Sequence, residues 1–316
     1  MADKKIIAVV GVTGAQGGGM ARAILADPGG PYRVRAITRD ATSPAARALA
    51  DVGAEVISAD LDDEASIVRA FEGAHGAFCV TFFWAHFSPD KELAHAAAMA
   101  RSAKAAGVAH AIWSTLEDTR RFVPLNDDRM PTLMGRYKVP HFDSKGEADQ
   151  EFREAGVPTT FLLTSFFWEN FIHFGMAPKA GPDGTLAITL PMGDKKLPGV
   201  GVEDIGRFAY EIFRAGTPYI GKTVGIAGGH PTGQEMADSF GRALGRPVRY
   251  NAIEPAVYRG FGFPGAEDLG NMFQFKRDFN DEYCARRDLT LARAVLPDLQ
   301  DFDIWLSRNV GKVPIA

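Results

Sequence analysis

Residues 6–25 read IIAVVGVTGAQGGGMARAIL. The apolar run Ile6–Val10 predicts a buried β-strand, and the spacing of apolar residues after Gly17 predicts an α-helix. The loop between them has glycines spaced three apart, at Gly11, Gly14 and Gly17. Such glycines permit a tight turn, close approach of the backbone to a pyrophosphate, and close packing of the helix on the strand. This stretch therefore predicts a dinucleotide-binding βαβ unit.

Runs rich in valine and isoleucine recur along the first half of the chain, with helical patterns between them. After the first run they lie at Val34–Thr38, Glu55–Ser58, Ala77–Thr81, Ala111–Ser114 and Thr159–Leu163. Alternating strands and helices are typical of βαβ units, which build a parallel sheet. We therefore predict an α/β fold, a Rossmann doubly wound parallel sheet with a smaller interlaced C-terminal α/β region.

The predicted helices have recognisable ends. A glycine followed by a small apolar residue and a strand indicates a left-handed helix cap, at Gly53, Gly73, Gly107 and Gly156. A capping side chain or a first-turn proline marks the helix starts, at Ser43-Pro44, Asp62-Asp63 and Ser88-Pro89. The alanine-rich segment from Pro89 to Ala106 is the longest predicted helix.

The composition excludes several classes of protein. With 35 Lys and Arg against 39 Asp and Glu, the net charge is −4, which argues against a surface that binds nucleic acid or anionic lipid. Two cysteines, Cys79 and Cys284, are too few for a disulfide framework or a thiolate metal site. No apolar stretch is long enough for a signal peptide or a membrane span. We expect a cytoplasmic protein with no metal, nucleic acid or membrane as a partner.

The sequence changes character after about residue 157, where glycine, proline and aromatic residues become more frequent. We predict a Rossmann domain that binds the dinucleotide over residues 1–157, and a smaller substrate or partner region over 158–316. A predicted helix at Val202–Ala215 and a strand near Thr223–Ile226 suggest that the two regions interlace near 200–228. The segment Leu116–Pro140 has no clear period, which favours a solvated functional loop or lid.

The end of the second predicted strand, Thr38-Arg39, indicates the type of cofactor. Folds that prefer NAD usually carry an acidic residue there, which binds the ribose hydroxyls. A guanidinium can instead bind a ribose 2′-phosphate through two hydrogen bonds, so Arg39 favours NADP(H), with a solvated surface arginine as the alternative. Asp60 ends the third strand and could accept a hydrogen bond from the adenine amino group, whereas Asp62 is expected to cap the next helix.

A second glycine motif suggests a different chemistry. Residues 216–223 read GTPYIGKT, which matches the Walker A pattern of nucleotide triphosphatases. A phosphate loop of that type follows a strand and opens a helix. Here the motif follows a predicted helix and leads into a predicted strand, so we expect no nucleoside triphosphate to bind there.

These features resemble the NmrA-like family, atypical members of the short-chain dehydrogenase/reductase superfamily, and especially its branch of NADP(H)-sensing proteins. The resemblance spans nearly the whole chain. Besides the glycine loop and Thr38-Arg39, it is carried by TFFW at 81–84, HFDSKGE at 141–147, Glu169-Asn170 and GFPGAEDL at 262–269. It implies a Rossmann domain with a small interlaced C-terminal region, and NADP(H) as the cofactor.

The resemblance also implies which residues bind the cofactor. The implied contacts are Gly11, Val12, Thr13, Gly14, Ala15, Gln16 and Gly17 with the pyrophosphate, Arg39 with the 2′-phosphate, Asp60 and Leu61 with adenine, and Thr81, Phe82, Phe83, Lys145, Ser165, Phe166 and Phe167 with the nicotinamide half. The chain departs from its relatives at Ser165, where they often have proline before the aromatic pair.

The catalytic pair of ordinary short-chain dehydrogenases is incomplete. These enzymes need a tyrosine and a lysine at i and i+4, where the ammonium lowers the pKa of the phenol and the phenol passes a proton to the substrate oxygen. Here Lys145 is present, but His141 takes the tyrosine's place, and no Tyr-x-x-x-Lys occurs anywhere in the chain. An imidazole so close to an ammonium is expected to be neutral and a poor acid.

The sequence leaves three functions open, and we predict the first of them, with the second as the alternative. The first is a redox sensor that binds NADP(H) and signals through a regulatory protein partner. The second is an NADPH-dependent reductase of a small apolar ketone, enone or quinone, with Lys145 or His141 as the catalytic residue. The third is a purely structural module, and a homodimer is compatible with each.

A set of aromatic residues near two predicted strand ends has two interpretations. It could form a flat apolar substrate pocket, or part of it could be ordinary core. The set comprises Phe82, Phe83, Trp84, Phe87, Phe166, Phe167, Trp168 and Phe171.

Overall fold

The computed structural model describes residues 4–315, which divide into two compact units. Unit 1 contains the described residues up to Glu117 together with Ser144–Leu163 and Val202–Val224. Unit 2 contains Asp118–Asp143, Thr164–Gly201 and the described residues from Gly225 onward. The domain boundary that the sequence suggests between residues 157 and 158 stays a prediction.

Strands and helices alternate through unit 1, as the sequence predicts, and unit 2 adds shorter elements; both units are included in the bounds that follow. The strands are β1 (Lys5–Val10), β2 (Tyr32–Thr38), β3 (Glu55–Ser58), β4 (Gly76–Cys79), β5 (His110–Thr115), β6 (Thr159–Leu163), β7 (Phe166–Phe167), β8 (Lys179–Ala180), β9 (Leu186–Leu190), β10 (Gly199–Val200), β11 (Thr223–Gly225) and β12 (Val248–Ala252). The helices are α1 (Ala15–Leu25), α2 (Pro44–Asp51), α3 (Glu64–Phe71), α4 (Pro89–Ala105), α5 (Pro140–Ala155), α6 (Asn170–His173), α7 (Val202–Ala215), α8 (Gly233–Leu244), α9 (Pro255–Arg259), α10 (Ala266–Asp278), α11 (Asn280–Ala285), α12 (Leu289–Val295) and α13 (Phe302–Asn309).

The main sheet has seven strands in the order β11-β6-β5-β4-β1-β2-β3. Every pairing from β3 through to β6 is parallel. The chain builds outward from β1 to β3 and then crosses to β4, so the direction of winding reverses between β1 and β4. This is the doubly wound Rossmann arrangement, in which ligands bind beyond the carboxyl ends of the strands at the reversal. The predicted fold class is confirmed.

Unit 2 has two small sheets. Three strands are ordered β12-β9-β8, and β10 pairs with β7.

The Walker-like residues 216–223 contain a 3₁₀ turn at Thr217–Tyr219 between α7 and β11, not a loop that opens a helix. Within residues 4–315, no helix combines the length and the apolar character needed to cross a bilayer.

The glycine caps predicted from the sequence are confirmed. Their φ angles are 100° at Gly53, 69° at Gly73, 68° at Gly107 and 67° at Gly156, in the left-handed region that favours glycine.

The prediction that Asp62 caps α3 is wrong. Because α3 begins at Glu64, the capping position falls on Asp63, whose Oδ1 accepts from the Ser66 backbone N–H at 3.3 Å. Asp62 instead pairs with Lys91 and His95, each at 2.8 Å. The two adjacent aspartates have different roles, and only the exact start of the helix separates them.

The segment Leu116–Pro140 is more tightly held than a solvated lid. Lys138 is 1% exposed, and its Nζ donates to the backbone carbonyls of Asp127 and Met130. Asn271 of α10 donates to the carbonyls of Lys138 and Pro131. These side chains satisfy backbone carbonyls that have no strand or helix partner. The expectation that this segment is a solvated lid is therefore wrong at Lys138.

His110, the first residue of β5, makes the stability of unit 1 depend on pH. It is buried, and its Nε2 pairs with the Thr160 hydroxyl at 2.8 Å. Burial, followed by the positive charge of His75, lowers the pKa of His110 from 6.5 to about 4. The unfolded chain takes up a proton near pH 6.5 that the folded chain excludes until about pH 4. The contribution of the neutral, buried His110 to the free energy of unfolding is therefore complete above pH 6.5 and is lost as the pH falls to 4.

We expect His110→Gln to reduce the loss of stability between pH 7 and pH 4 by about 3 kcal/mol, since each pKa unit corresponds to about 1.4 kcal/mol. Urea unfolding at a series of pH values measures the effect. His173→Gln, at an exposed position, is the control and should leave the wild-type pH dependence unchanged. The same pH dependence in His110→Gln as in the wild type would contradict the assignment.

Candidate functional site

The glycine loop of unit 1 connects β1 to α1 and has the shape of a pyrophosphate cradle. Gly11 has a φ of +64°, which side-chain-bearing residues rarely adopt. A Cβ atom at Gly17 would lie 2.5 Å from the carbonyl oxygen of Gly11, so only glycine lets α1 start this close to the strand. The N-cap residue is Gly14, which has no side chain that could accept a hydrogen bond from the first turn of α1. The N–H groups of that turn are therefore oriented to receive an anion.

The other predicted loop residues have distinct surroundings. Val12 is buried, and its backbone N–H donates to the carbonyl of Ile37. Thr13 and Ala15 are exposed. The Gln16 side chain accepts a hydrogen bond from the Ser114 hydroxyl at 2.8 Å. The Gln16 side chain thus ties the loop to β5, and its contact with a pyrophosphate stays a prediction.

The residues predicted to bind the adenosine half follow β2 and β3. Arg39 is exposed immediately after β2, and its guanidinium makes no hydrogen bond or ion pair within residues 4–315. Asp60 is exposed, and its Oδ1 accepts from the backbone N–H of Asp62 at 3.0 Å. Leu61 is half-buried and packs against the core of unit 1. The contact of Arg39 with a 2′-phosphate, and those of Asp60 and Leu61 with adenine, stay predictions.

Lys145 lies in a buried polar cluster of unit 1. Its Nζ donates to the Thr81 hydroxyl at 2.5 Å and lies 2.8 Å from Glu92 Oε1. The Thr81 hydroxyl in turn donates to the same Glu92 oxygen at 2.5 Å. Burial alone would raise the pKa of Glu92, but the Lys145 ammonium and the Thr81 hydroxyl together hold it below its ordinary value. The cluster therefore contains a buried carboxylate and its counter-ion.

No motif in the sequence points to Glu92, but its position in α4 is a signal of a buried charge. It occupies the same face of α4 as Ala96, Met99 and Ala103, each of which is fully buried. An acidic residue on the apolar stripe of a helix indicates a buried charge with a specific partner. Glu92 Oε2 also lies 3.5 Å from His86 Nε2, which is too long for a strong hydrogen bond.

The predicted aromatic residues of unit 1 divide between surface and core. Phe82 is 59% exposed and Phe87 is 39% exposed. Phe83 is buried, and its ring packs edge-to-face against those of Trp84 and Phe87. Thr81, predicted as the end of a strand, follows it instead, because β4 ends at Cys79.

His141 of unit 2 is held by the carboxylate of Asp268, to which the sequence assigns no role. Its Nδ1 lies 2.6 Å from Asp268 Oδ1, and its backbone N–H donates to Asp268 Oδ2 at 3.2 Å. Both residues are buried. Asp268 lies in the first turn of α10, 127 residues away from His141 along the chain. No local sequence pattern links two residues at that separation.

Each of the two candidate catalytic residues therefore has its own carboxylate. The sequence predicts that the ammonium of Lys145 pushes His141 toward its neutral form. Glu92 lies 2.8 Å from that ammonium, and Asp268 lies 2.6 Å from the imidazole. That the Lys145 ammonium holds His141 in its neutral form therefore stays a prediction.

The remaining predicted contacts lie in unit 2. Ser165 is buried, and its hydroxyl has no hydrogen-bond partner among residues 4–315. Phe166 is buried against Phe171 and Phe273, and Phe167 is half-buried. Trp168 and Phe171 are fully buried, so this part of the aromatic set is core. The proposed contacts of Ser165, Phe166 and Phe167 with a nicotinamide stay predictions.

A parallel doubly wound sheet with a glycine loop after its first strand defines a Rossmann-type α/β protein. The chain belongs to the NmrA-like family, whose model matches residues 3–303.

Three relatives illustrate the similarity. The chain is 29% identical to the NmrA-like oxidoreductase FrzB of Cladobotryum sp over 301 residues, which cover 89% of this chain and 86% of that protein. It is 26% identical to a crystallised mutant of NmrA, with a TM-score of 0.80 over 96% of this chain and 94% of that one. NmrA, a negative transcriptional regulator, in complex with NADP has 24% identity and a TM-score of 0.78 over 96% and 94% of the two chains.

Proposed function

We propose that this protein binds NADP(H) and is an NADPH-dependent reductase of a small apolar ketone, enone or quinone. The observation that carries the proposal is that both candidate proton-handling residues, Lys145 and His141, are buried and paired with carboxylates. Buried ion pairs contribute little net stability, because desolvation offsets their attraction. A lysine and a histidine that are each buried against a carboxylate favour a chemical role over a structural one.

The binding of NADP(H) is supported by residues of unit 1. The glycine loop and the uncapped first turn of α1 suit a pyrophosphate, and Arg39 suits a 2′-phosphate. Thr81 and Lys145 present a hydroxyl and an ammonium that would hold the nicotinamide ribose. The bound cofactor would supply the hydride. The NmrA regulator, which has the same fold, has been crystallised with NADP.

Two of the chain's own residues would stabilise and then protonate the negative charge that develops on the substrate oxygen. Lys145 is the positive group, and its orientation is set by Thr81 and Glu92. His141 is the candidate proton donor, in the helical position that a tyrosine takes in ordinary short-chain dehydrogenases. The two residues lie one turn apart in α5.

Anaerobic incubation with NADPH and a panel of ketones, enones and quinones tests the proposal. We expect loss of the NADPH absorbance with at least one apolar acceptor, at a rate of about 1 per second or more. NADH in place of NADPH is the matched control and should react more slowly at equal concentration. No turnover with any acceptor, while NADPH binds tightly, would reject the reductase function.

A redox sensor is the second candidate. It is favoured by the absence of any Tyr-x-x-x-Lys and by the similarity to NmrA, a negative transcriptional regulator. A sensor would have to bind NADPH and NADP⁺ with different affinities, or present a different surface to a regulatory protein in the two states. Calorimetry with both forms of the cofactor tests this function. Equal affinities for NADPH and NADP⁺, together with the same conformation in both states, would exclude a sensor.

We expect Arg39→Ala to weaken NADPH binding by about 10- to 150-fold, because a charge-assisted hydrogen bond contributes roughly 1.5–3 kcal/mol. NADH lacks the 2′-phosphate, so its affinity should stay the same. Calorimetry with both cofactors measures the difference. Arg47→Ala, an exposed arginine of α2, is the control. Unchanged NADPH affinity in Arg39→Ala would remove Arg39 from the site.

A further inference from the structure

The carboxylate of Asp268 contacts His141 at two points. One oxygen is 2.6 Å from the ring Nδ1, and the other accepts from the backbone N–H of the same residue at 3.2 Å. An ionised carboxylate has only acceptor atoms, so it cannot donate to the ring. Nδ1 must therefore carry the hydrogen that lies between the two residues. In the neutral ring Nε2 therefore carries no hydrogen, and in the protonated ring Nε2 carries the second one.

The position of Asp268 is fixed by its surroundings in unit 2. Gly262 and Gly265, with φ angles of 73° and 85°, form the turn that begins α10. Further along the helix, Asn271 donates to the backbone carbonyl of Lys138, and Gln274 donates to that of Arg129. These bonds tie α10 to the segment that precedes His141 in the chain. Asp268 is thus held in register with the imidazole.

We infer that Asp268 is a positioning residue, which keeps His141 in the tautomer with hydrogen on Nδ1 so that Nε2 delivers the proton to the substrate oxygen. The proton transfer rests on the reductase function proposed above, whereas the tautomer does not. When protonated His141 gives up its Nε2 proton, the new O–H bond forms on the substrate and the ring becomes neutral. The Nδ1 hydrogen bond to Asp268 is kept throughout. Water then returns a proton to Nε2.

Asp268→Asn tests this inference, because an amide has one acceptor and one donor. The backbone N–H of His141 can only donate, so it selects the amide oxygen. The amide NH₂ is then directed at Nδ1, which must become an acceptor, and the hydrogen of the neutral ring moves to Nε2. The variant keeps both hydrogen bonds and nearly the same volume, so the fold should persist. Only the tautomer is reversed.

Nitrogen-15 NMR of histidine-labelled protein, recorded where the ring is neutral, distinguishes the tautomers without any substrate. His141→Gln assigns the His141 signals by their absence. We expect hydrogen on Nδ1 in the wild type and on Nε2 in Asp268→Asn. Turnover of an accepted substrate should fall by up to about 10⁴-fold, the scale by which a wrong tautomer slows a hydrolase triad. NADPH affinity should change less than twofold, because Asp268 is not among the residues proposed to bind the cofactor.

Asp278→Asn, at the exposed C-terminal end of the same helix, is the matched control and should change neither the tautomer nor turnover. Hydrogen on Nε2 in the wild type would overturn the inference even if Asp268→Asn failed to fold. The expected reversal of tautomer with unchanged turnover would overturn the role of Nε2 in proton delivery. The expected tautomers in a protein that reduces no acceptor would support the positioning by Asp268 and reject the reductase function alone.

Discussion

Replacing Lys145 with alanine is expected to abolish NADPH oxidation with every acceptor and to lower the free energy of unfolding by about 3–5 kcal/mol. Glu92 is fully buried, and its Oε1 lies 2.8 Å from the Lys145 ammonium. Removing that ammonium leaves a carboxylate in the core without its counter-ion. The substrate oxygen also loses the positive charge proposed to stabilise it. Urea unfolding and a steady-state assay measure the two effects separately.

A double variant separates the structural effect from the chemical one. Lys145→Met combined with Glu92→Gln removes both charges and preserves the volumes of the side chains, so most of the lost stability should return. Turnover should stay absent, because no cation replaces Lys145. Lys91→Ala, on the same helix as Glu92 and partly exposed, is the control and should remain active. Wild-type turnover in the double variant would show that Lys145 only neutralises Glu92.

The sheet of unit 1 could be predicted from the sequence because its determinants are local. Each strand is a short apolar run, and β3 and β6 begin and end at the predicted residues. Glycines such as Gly107 adopt the left-handed conformation that their position before a strand indicates. The helix α7 also has the predicted bounds, Val202–Ala215. In each case one strong local preference agrees with the tertiary structure.

The partners of the catalytic candidates could not be predicted, because they depend on long-range packing. Asp268 lies 127 residues from His141, and Lys138 is buried by contacts with Asn271 from a distant helix. Charge alone favours a solvated position for a lysine, yet the loop carbonyls needed donors and Lys138 supplies them. The i, i+4 spacing of His141 and Lys145 is visible in the sequence. The carboxylates that contact them, Asp268 and Glu92, could not be predicted.

Those carboxylates determine the outcome expected for His141→Tyr, which restores the Tyr-x-x-x-Lys spacing with Lys145. In ordinary short-chain dehydrogenases the lysine lowers the pKa of the phenol and makes it an effective acid. Here the new phenol would lie beside the carboxylate of Asp268, which is 2.6 Å from the present imidazole. A nearby negative charge raises the pKa of a phenol. The Lys145 charge that would oppose this effect is already paired with Glu92 at 2.8 Å.

We therefore expect His141→Tyr to lower turnover by about 100-fold or more, the usual contribution of a well-placed general acid. Adding Asp268→Asn to this variant removes the negative charge beside the phenol and should recover part of the rate, although Asp268→Asn alone slows the wild type. Asp268→Asn would then slow the wild type but speed up His141→Tyr. This opposite effect on turnover indicates an electrostatic cause, because two packing defects would lower turnover further when combined. A gain of carbonyl reduction in His141→Tyr alone would instead favour the sensor function, because it would show that the wild-type cofactor site lacks only the tyrosine that donates the proton.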